Sequence, residues 1–429
     1  MGGEVTSMRS LVLAACVLVI VAACGRLPGG QVSSGDYKLY EAASTSSSQQ
    51  LSVIDSRSHS VELNMPLGAP SPNWSHLYTI HGDTLVDIDP QTGSTLYAQR
   101  LPGYFQLPLA TMSGVPGGLS QDGRWLVLER FDPTSSPIPS TTHLLLVDTL
   151  YTKPLQQIDL NGYFQFDAIS NDGQRIFLIQ YVSSTEYYVR QFDVGIRQLN
   201  PTIIFDKADG GAAMAGLRLS GVPSPGGHWL YSLYVRQDQS PFIHALNLDG
   251  NLIAFCLDLP GSGYASSSDA FHWSLAMSPD AGHLYAVNGA LGTVADIALD
   301  TGSGWPSPPR AARLDTSQTG GIFGVQNVEA KELGGNAAAV SPDGKTLVIG
   351  GSSGLFWVDT TSLKAKDHLL SDWNVWSLAM SPDGTIVYAV SDSGMIAEIS
   401  MSGSHQMTTF GGAPGQPLAL IRVAGVPGS

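Results

Sequence analysis

The chain has 429 residues and a formal net charge of −15, because 36 acidic residues outnumber 21 basic ones. Such an acidic surface argues against nucleic acid as a partner and against electrostatic docking on anionic lipid. Charged residues make up only 13% of the chain, below the share usual in soluble domains, and glycine is plentiful at 48 residues. This composition favours many short buried strands joined by tight turns.

The N-terminus has the pattern of a secretory signal peptide. A basic residue precedes an apolar run from Leu11 to Val21, and small residues follow the run. The run is too short to span a membrane as a helix. The sequence Val-Ala-Ala-Cys, which ends at Cys24, resembles a bacterial lipobox, in which the cysteine is acylated and becomes the mature N-terminus. We predict a lipoprotein signal peptide at 1–23 and lipidation of Cys24; the alternative is an ordinary signal peptide with a chance cysteine.

Two further segments follow. Residues 24–37 are rich in glycine and serine, which predicts a flexible tether. More than one acyl chain on a cysteine gives stable anchoring. The sequence therefore predicts a protein secreted and held on the outer face of a bacterial membrane, with its folded part at 38–425.

A four-residue turn recurs through that folded part, in forms such as SPDG, SQDG, SNDG and SPGG. Serine favours the first turn position, proline presets φ at the second, and glycine takes a positive φ at the fourth. The intervals between turns run from 40 residues (341 to 381) to 63 residues (278 to 341), which is typical of a propeller array. The turns begin at Ser71, Ser120, Ser170, Ser224, Ser278, Ser341 and Ser381.

Each turn lies in a repeated unit of four β runs. A short apolar stretch precedes the turn, and a β-rich run such as TIVYAV follows it. A third run ends in an acidic turn, and a fourth closes the unit. Four antiparallel strands per period, here named a to d, make one propeller blade. We find no convincing amphipathic helix after the signal peptide.

The repeat resembles a known family. The SPDG turns and the stretch QQLSVIDSRSHSVELNMPLG at 49–68 resemble the YVTN-type, WD40-like β-propeller repeat, whose consensus reads VSPDGKRLYV…VSVIDTATGKVVATIPVG. The resemblance covers roughly residues 38 to 425 and implies an all-β propeller. Such propellers are similar to lactonases and to the large subunit of quinoprotein amine dehydrogenases. No motif of this chain matches a catalytic residue of either, so the resemblance assigns none.

The two ends of the chain supply strands beyond the seven turns. Runs at 38–43, 50–56 and 60–67 look like strands b, c and d, and the run at 417–425 looks like a lone strand a. Joined, they make a composite closing blade that removes two exposed sheet edges. We therefore predict a single propeller of eight four-stranded blades. Seven blades is the alternative, because residues 69–70 leave little room for a strand a before the first turn.

Repeated aspartates are predicted to be structural. Catalytic carboxylates need a pair with separated pKa values, whereas a carboxylate in nearly every blade suits turns in which it accepts backbone N–H groups. Sequence motifs of serine hydrolases, zinc proteases and P-loops are absent. We predict no catalytic residue, no metal site and no cofactor, and Cys256 as a small core residue. The aspartates are Asp55, Asp89, Asp148, Asp193, Asp249, Asp300 and Asp359 near the end of strand c, and Asp122, Asp172, Asp280, Asp343 and Asp383 in the a–b turn.

Aromatic residues at the start of strand a suggest a ligand site. In a propeller this strand lines the central channel, so aromatic rings there could stack on a ligand at the channel mouth; the alternative is packing between blades. Function also tends to lie in long loops, and the largest departure from the period is 303–335, with smaller ones at 130–142 and 205–216. The alternative for these segments is tolerated surface insertion. The candidate mouth residues are Tyr163, Phe164, His272, Trp273, Trp373 and Trp376.

Two functions fit these observations. The first is a binding or protein-interaction module at the cell envelope, whose partner is an envelope protein, a peptide or a glycan. The alternative is a propeller enzyme, such as a lactonase-like hydrolase or a quinoprotein-dehydrogenase-like protein. The fold alone does not decide between them, because propellers host many activities.

Overall fold

The fold is all-β. The computed structural model describes residues 35–110, 114–132, 138–183, 186–206, 213–259, 271–300, 302–314 and 336–426. These residues contain 32 strands and no α-helix. Residues 36–429 form one compact unit. The predicted signal peptide, Cys24 and nearly all of the tether lie outside the described residues. No helix in the described ranges is long and apolar enough to cross a membrane.

The first half of the chain supplies blades one to four. Blade one begins with β1 (Tyr37–Ser44), β2 (Gln49–Asp55) and β3 (Ser60–Pro66). Blade two is β4 (Ala69–Pro70), β5 (Leu77–His81), β6 (Thr84–Ile88) and β7 (Thr95–Arg100). Blade three is β8 (Trp125–Phe131), β9 (Thr141–Asp148) and β10 (Gln156–Asn161). Blade four is β11 (Tyr163–Ile169), β12 (Arg175–Tyr181), β13 (Glu186–Asp193), β14 (Gln198–Leu199) and β15 (Met214–Ala215).

The second half supplies the other blades and the last strand. Blade five is β16 (Leu217–Pro223), β17 (Trp229–Val235), β18 (Pro241–Asn247) and β19 (Ala254–Asp258). Blade six is β20 (Trp273–Met277), β21 (His283–Asn288), β22 (Thr293–Ala298) and β23 (Arg310–Arg313). Blade seven is β24 (Ala338–Val340), β25 (Thr346–Gly351), β26 (Gly354–Asp359) and β27 (Lys364–Leu369). Blade eight is β28 (Val375–Met380), β29 (Ile386–Ser391), β30 (Met395–Ser400) and β31 (Met407–Gly411), and β32 (Gln416–Gly425) follows it.

Both ends of the chain build blade one, as predicted. Its strand order is β3-β2-β1-β32, and β1 pairs antiparallel with β32 from Tyr37 opposite Gly425 to Ser44 opposite Gln416. The described residues therefore form eight sheets, and the eight-blade prediction is confirmed. The little room predicted for a strand a before the first turn is reflected in blade two, whose strand a, β4, has only two residues.

Hydrophobic packing closes the sheets into a ring. The described residues form eight buried clusters, each of which joins two consecutive blades. The cluster that joins blade eight to blade one contains Tyr388 and Ile396 on one side and Leu39 and Ile54 on the other. The core is thus a set of wedges between blades, and each of the eight described sheets packs against both of its neighbours.

The repeated serine explains the repeated turn. All seven first-position serines are buried, and each hydroxyl accepts the backbone N–H of the residue five positions later at 2.9 to 3.1 Å. In five turns the same hydroxyl donates to the aspartate two residues later at 2.5 to 2.6 Å. The fourth position takes a positive φ in every turn, at Trp74 (57°) and Ala281 (56°) as well as at five glycines.

The aspartates at the end of strand c have the predicted structural role with one exception. Asp55 Oδ1 accepts the N–H of Ser58 at 2.7 Å, and the equivalent carboxylates of the other blades accept turn N–H groups in the same way. In blade five, Asn247 takes this role, because its Oδ1 accepts the N–H of Asp249 at 3.1 Å. The carboxylate of Asp249 is thereby left to make other contacts.

Blade three departs from the regular pattern. Its sheet has three strands, and strand a is reduced to isolated bridges from Gln106 to Glu129 and from Leu119 to Leu126. The described residues between these bridges, 107–110 and 114–118, lie outside the sheet; we call them the excursion of blade three, and within it Leu109 bridges Pro116. The excursion lines the same cavity as strand a of blades two, four and five.

Candidate functional site

The predicted mouth aromatics do not form one site. Phe164 lies in the core between blades three and four, and Trp273 in the core between blades five and six. Trp376 is buried, and Trp373 packs against the core between blades seven and eight. The structure shows packing for these four side chains.

The remaining two predicted residues are partly exposed. Tyr163 stacks on Tyr181 with ring centroids 5.1 Å apart, and its hydroxyl accepts the Gln165 side-chain amide at 2.6 Å. His272 is half-buried. None of the six lines the axial cavity described next, so their role in ligand binding stays a prediction.

The central axis holds a small, mainly apolar cavity. It has a volume of about 420 Å³ and is lined by strand a of blades two, four and five and by the excursion of blade three. At its polar end, Arg218 Nη1 donates to Asp167 Oδ1 at 2.5 Å, and Arg218 Nη2 donates to the Leu109 carbonyl at 2.9 Å. The guanidinium therefore ties blades three, four and five together, and its charge is paired.

Two buried carboxyls near the inner strands also serve the fold. Glu129 Oε2 accepts the N–H of Phe166 at 3.3 Å, and Glu41 Oε2 accepts the N–H of Ala413 at 2.6 Å. Burial raises the pKa of each carboxyl to about 7. They lie in blades three and one, so they do not make the pair of neighbouring groups that acid–base catalysis requires.

A larger pocket opens between blades five and six, at the face of the ring where the a–b and c–d turns lie. We call it the turn-face pocket; it has a volume of about 610 Å³, within the range typical of small-molecule sites. Its floor is formed by Trp229 and Tyr231, which are buried. Its rim carries Trp305, Asn251 and Asp249, all exposed.

Trp305 is an exposed aromatic side chain held in a fixed position. The side chain of Trp229 donates from Nε1 to the Ser303 carbonyl at 2.6 Å, and the Tyr231 hydroxyl donates to the Gly304 carbonyl. The Trp305 ring lies at 61° to the Phe255 ring, with centroids 4.4 Å apart. Although it is fixed in this way, Trp305 stays 48% exposed.

Gly304 is required for this arrangement. Its φ is +70°, and a Cβ added there would lie 2.5 Å from Cδ1 of Trp229. Any other residue would push the turn off the buried indole on which it rests. The exposed Trp305 is therefore preorganised by a glycine and by two buried side chains of the neighbouring blade.

The polar rim of the pocket has unused hydrogen-bonding groups. Asp249 Oδ1 contacts His228 Nδ1 at 2.8 Å, and the Asn251 side-chain amide donates to Asn247 Oδ1 at 3.3 Å. Among the described residues, Asp249 Oδ2, His228 Nε2 and Asn251 Oδ1 make no hydrogen bond. The residues that carry these three groups line the same pocket as the exposed indole.

The equivalent pocket between blades six and seven lacks these features. It has a volume of about 480 Å³, and its lining includes His283 and Arg310. Asp296 accepts from His283 at 2.7 Å through one oxygen and from Arg310 at 2.8 Å through the other. His283 and Arg310 are thus both paired with Asp296, and no tryptophan lines this pocket. The turn-face pocket is therefore the better candidate for a ligand.

Sequence reasoning did not select Trp305. Trp305 lies in the segment 303–335, which departs most from the repeat period and was therefore predicted as a place for function. Residues 315–335 of this segment fall outside the described ranges. The signal that could have found it is a tryptophan in a polar c–d turn, directly after a glycine. The c–d turns of the other blades contain no tryptophan.

Metal chemistry has no candidate among the described residues, where no group of three or more histidine, cysteine, aspartate or glutamate side chains could hold an ion. Cys256 is half-buried, at the edge of the core between blades four and five, with its Sγ 3.8 Å from His244 Nδ1. Burial lowers the pKa of His244 to about 4, so this imidazole is neutral at ordinary pH.

Comparison with known proteins gives distant structural similarities. No protein-family model and no curated protein matches the chain. The dihydro-heme d1 dehydrogenase NirN is 14% identical over 91% of this chain and 76% of its own, with a TM-score of 0.49. BamB from Moraxella catarrhalis is 10% identical over 81% and 88%, with a TM-score of 0.45. The periplasmic gluconolactonase PpgL of Pseudomonas aeruginosa is 17% identical over 89% and 97%, with a TM-score of 0.43.

Proposed function

We propose that this β-propeller is a binding module that takes its ligand in the turn-face pocket between blades five and six. The single observation that carries the proposal is Trp305, which follows a turn bonded to two buried side chains and yet stays 48% exposed. A ligand that covers the exposed part of the indole removes on the order of 100 Å² of apolar surface from water, which contributes about 2.5 kcal/mol. A rigid aromatic anchor also loses little conformational entropy on binding.

We further propose that the module acts at the cell envelope, anchored through lipid on Cys24. The support is the apolar run with small residues before Cys24 and the glycine- and serine-rich segment at 24–37. The expected result is incorporation of a labelled fatty acid into the wild-type protein but not into Cys24→Ser, with release of the variant from the membrane fraction. Labelling of both proteins, or of neither, would contradict the anchor.

The enzyme alternative has no observation in its favour among the described residues. The two buried carboxyls whose pKa is raised to about 7 each accept a backbone N–H from a neighbouring strand or loop. Burial also raises the pKa of Asp87, which is paired with the His76 side chain. At the axis, the Arg218 guanidinium is paired with Asp167 Oδ1 and with the Leu109 carbonyl. The proposed binding function leaves all of these contacts as they are.

The binding function is tested by retention on envelope fractions. Full-length protein is incubated with separated wall, membrane and protein fractions of the producing bacterium, and bound protein is measured. We expect one fraction to retain the wild type and to retain Trp305→Ala at least tenfold less. Tyr104→Ala is the matched control, because Tyr104 is 76% exposed and lies outside the pocket. Equal retention of all three proteins, or retention of none, would refute the proposal.

A further inference from the structure

We infer that the turn-face pocket binds a neutral saccharide. This inference rests on the proposed function and names the class of ligand. It combines three observations: the exposed indole of Trp305, the hydrogen-bonding groups around it, and the charge of the pocket.

The indole provides a surface for the apolar side of a sugar ring. One face of a pyranose presents C–H groups, which pack on an aromatic ring through dispersion and weak C–H···π contacts. Trp305 is the exposed aromatic side chain of the pocket, whereas Trp229 and Tyr231 are buried beneath it. A sugar ring that covers Trp305 would therefore project its hydroxyl groups towards the polar rim.

The rim suits hydroxyl groups because it offers both acceptors and donors. Asp249 Oδ2 and Asn251 Oδ1 are acceptors without a hydrogen bond among the described residues. Asp249 is oriented by His228, which contacts its other oxygen at 2.8 Å. The second N–H of the Asn251 amide is a donor beside them. A hydroxyl group both donates and accepts, so it can satisfy neighbouring groups of either kind.

The negative charge of the pocket favours a neutral saccharide over an anionic ligand. The pocket contains Asp249, Asp280 and Asp300 against one histidine, His228, which excludes anionic sugars and phosphates. Asp280 and Asp300 already accept hydrogen bonds within their own turns, and these bonds lower the pKa of both carboxyls.

These internal bonds also argue against a cationic peptide as the ligand. Asp280 Oδ1 accepts from the Ser278 hydroxyl at 2.6 Å and from the Gly282 N–H at 3.0 Å. Asp300 accepts from the Gly302 N–H through Oδ1 and from the Ser303 hydroxyl through Oδ2. The remaining carboxylate, Asp249, is shared with His228. No carboxylate on the rim keeps both of its oxygens for the two-point contact that binds a guanidinium group, whereas a neutral ligand needs none.

Chemical treatment of the retaining envelope fraction tests the ligand class. Periodate cleaves vicinal diols of saccharides, and protease removes proteins. We expect periodate to abolish the Trp305-dependent retention and protease to leave it unchanged. Loss of retention after protease alone would overturn the saccharide assignment and leave the proposed binding function standing. Absence of any Trp305-dependent retention before treatment would refute the proposed function itself.

Calorimetric titration of the full-length protein then tests the site. The probes are the neutral oligosaccharides chitotetraose, cellotetraose and maltotetraose. We expect at least one probe to bind, with affinity at least tenfold weaker in Trp305→Ala and within threefold of the wild type in Trp305→Phe, which keeps an aromatic ring. Asn251→Ala should weaken binding several-fold, and Tyr104→Ala should not. Binding that Trp305→Ala leaves unchanged, or no binding of any probe, would overturn the inference.

Discussion

Replacement of Glu129 by glutamine is expected to stabilise the protein at neutral and alkaline pH. Glu129 is 6% exposed, and burial raises the pKa of its carboxyl from about 4.5 to about 7. Folding therefore favours the protonated form. Below pH 4.5 the carboxyl is protonated in both the folded and the unfolded chain, and the folded state carries no penalty.

The penalty develops as the pH rises from about 4.5 to about 7. In this range the unfolded chain has lost its proton, whereas the folded chain still holds one, so the free energy of unfolding falls with pH. A shift of about 2.5 in pKa corresponds to a loss on the order of 3 kcal/mol. Glutamine has nearly the shape of the protonated carboxyl, and its amide oxygen can still accept the N–H of Phe166.

The assay is urea denaturation of the wild type and of Glu129→Gln at pH 4, 6 and 8. We expect similar stability at pH 4 and an advantage of about 3 kcal/mol for the variant at pH 8. Glu62→Gln is the control, because Glu62 is exposed on β3. Glu41→Gln should repeat the result in blade one, where burial has the same effect. A difference between Glu129→Gln and the wild type that does not change with pH would refute the reasoning.

Three further predictions concern turns, each measured by thermal or urea unfolding. Ala281→Gly should stabilise the protein by about 1 kcal/mol, because glycine relieves the strain of a φ of +56°. Gly344→Ala, at a φ of +72°, should destabilise it by a similar amount; changes of the same sign in the free energy of unfolding would contradict this prediction. Ser341→Ala should cost about 1 to 3 kcal/mol, because it leaves a turn N–H without its acceptor; a neutral effect would contradict the role of the repeated serine. Gly304→Ala should weaken ligand retention and also destabilise by about 1 kcal/mol or more, because its φ is +70° and its Cβ would meet Trp229; unchanged retention would show that the turn need not rest there.

The ring of blades could be predicted from the sequence because each a–b turn repeats the same local pattern of residues. The serine at the start of the a–b turn, and the positive φ three residues later, depend on contacts within a few residues, so they can be read from sequence. The composite blade followed from the same pattern, since the runs at 38–67 lacked a strand a and the run at 417–425 lacked the other three.

The candidate site could not be predicted in the same way, because it depends on contacts between blades. Trp229 reaches the Ser303 carbonyl across 74 residues of chain, and no local pattern encodes that contact. The predicted mouth aromatics show the same limit. Phe164 and Trp273 occupy strand a as expected, but large side chains there fill the wedge between blades.

The central claim, that the two ends of the chain close the ring, is tested most directly by a disulfide across β1 and β32. Ser44 pairs with Gln416 in the register of these strands, and paired Cα atoms lie within disulfide range. In a background without other cysteines, we expect Ser44→Cys/Gln416→Cys to form an intramolecular disulfide in native protein, as measured by mass spectrometry before and after reduction. The control pair, Ser44→Cys/Ser402→Cys, should stay reduced. Free thiols or only intermolecular dimers in the test pair would contradict the closed ring.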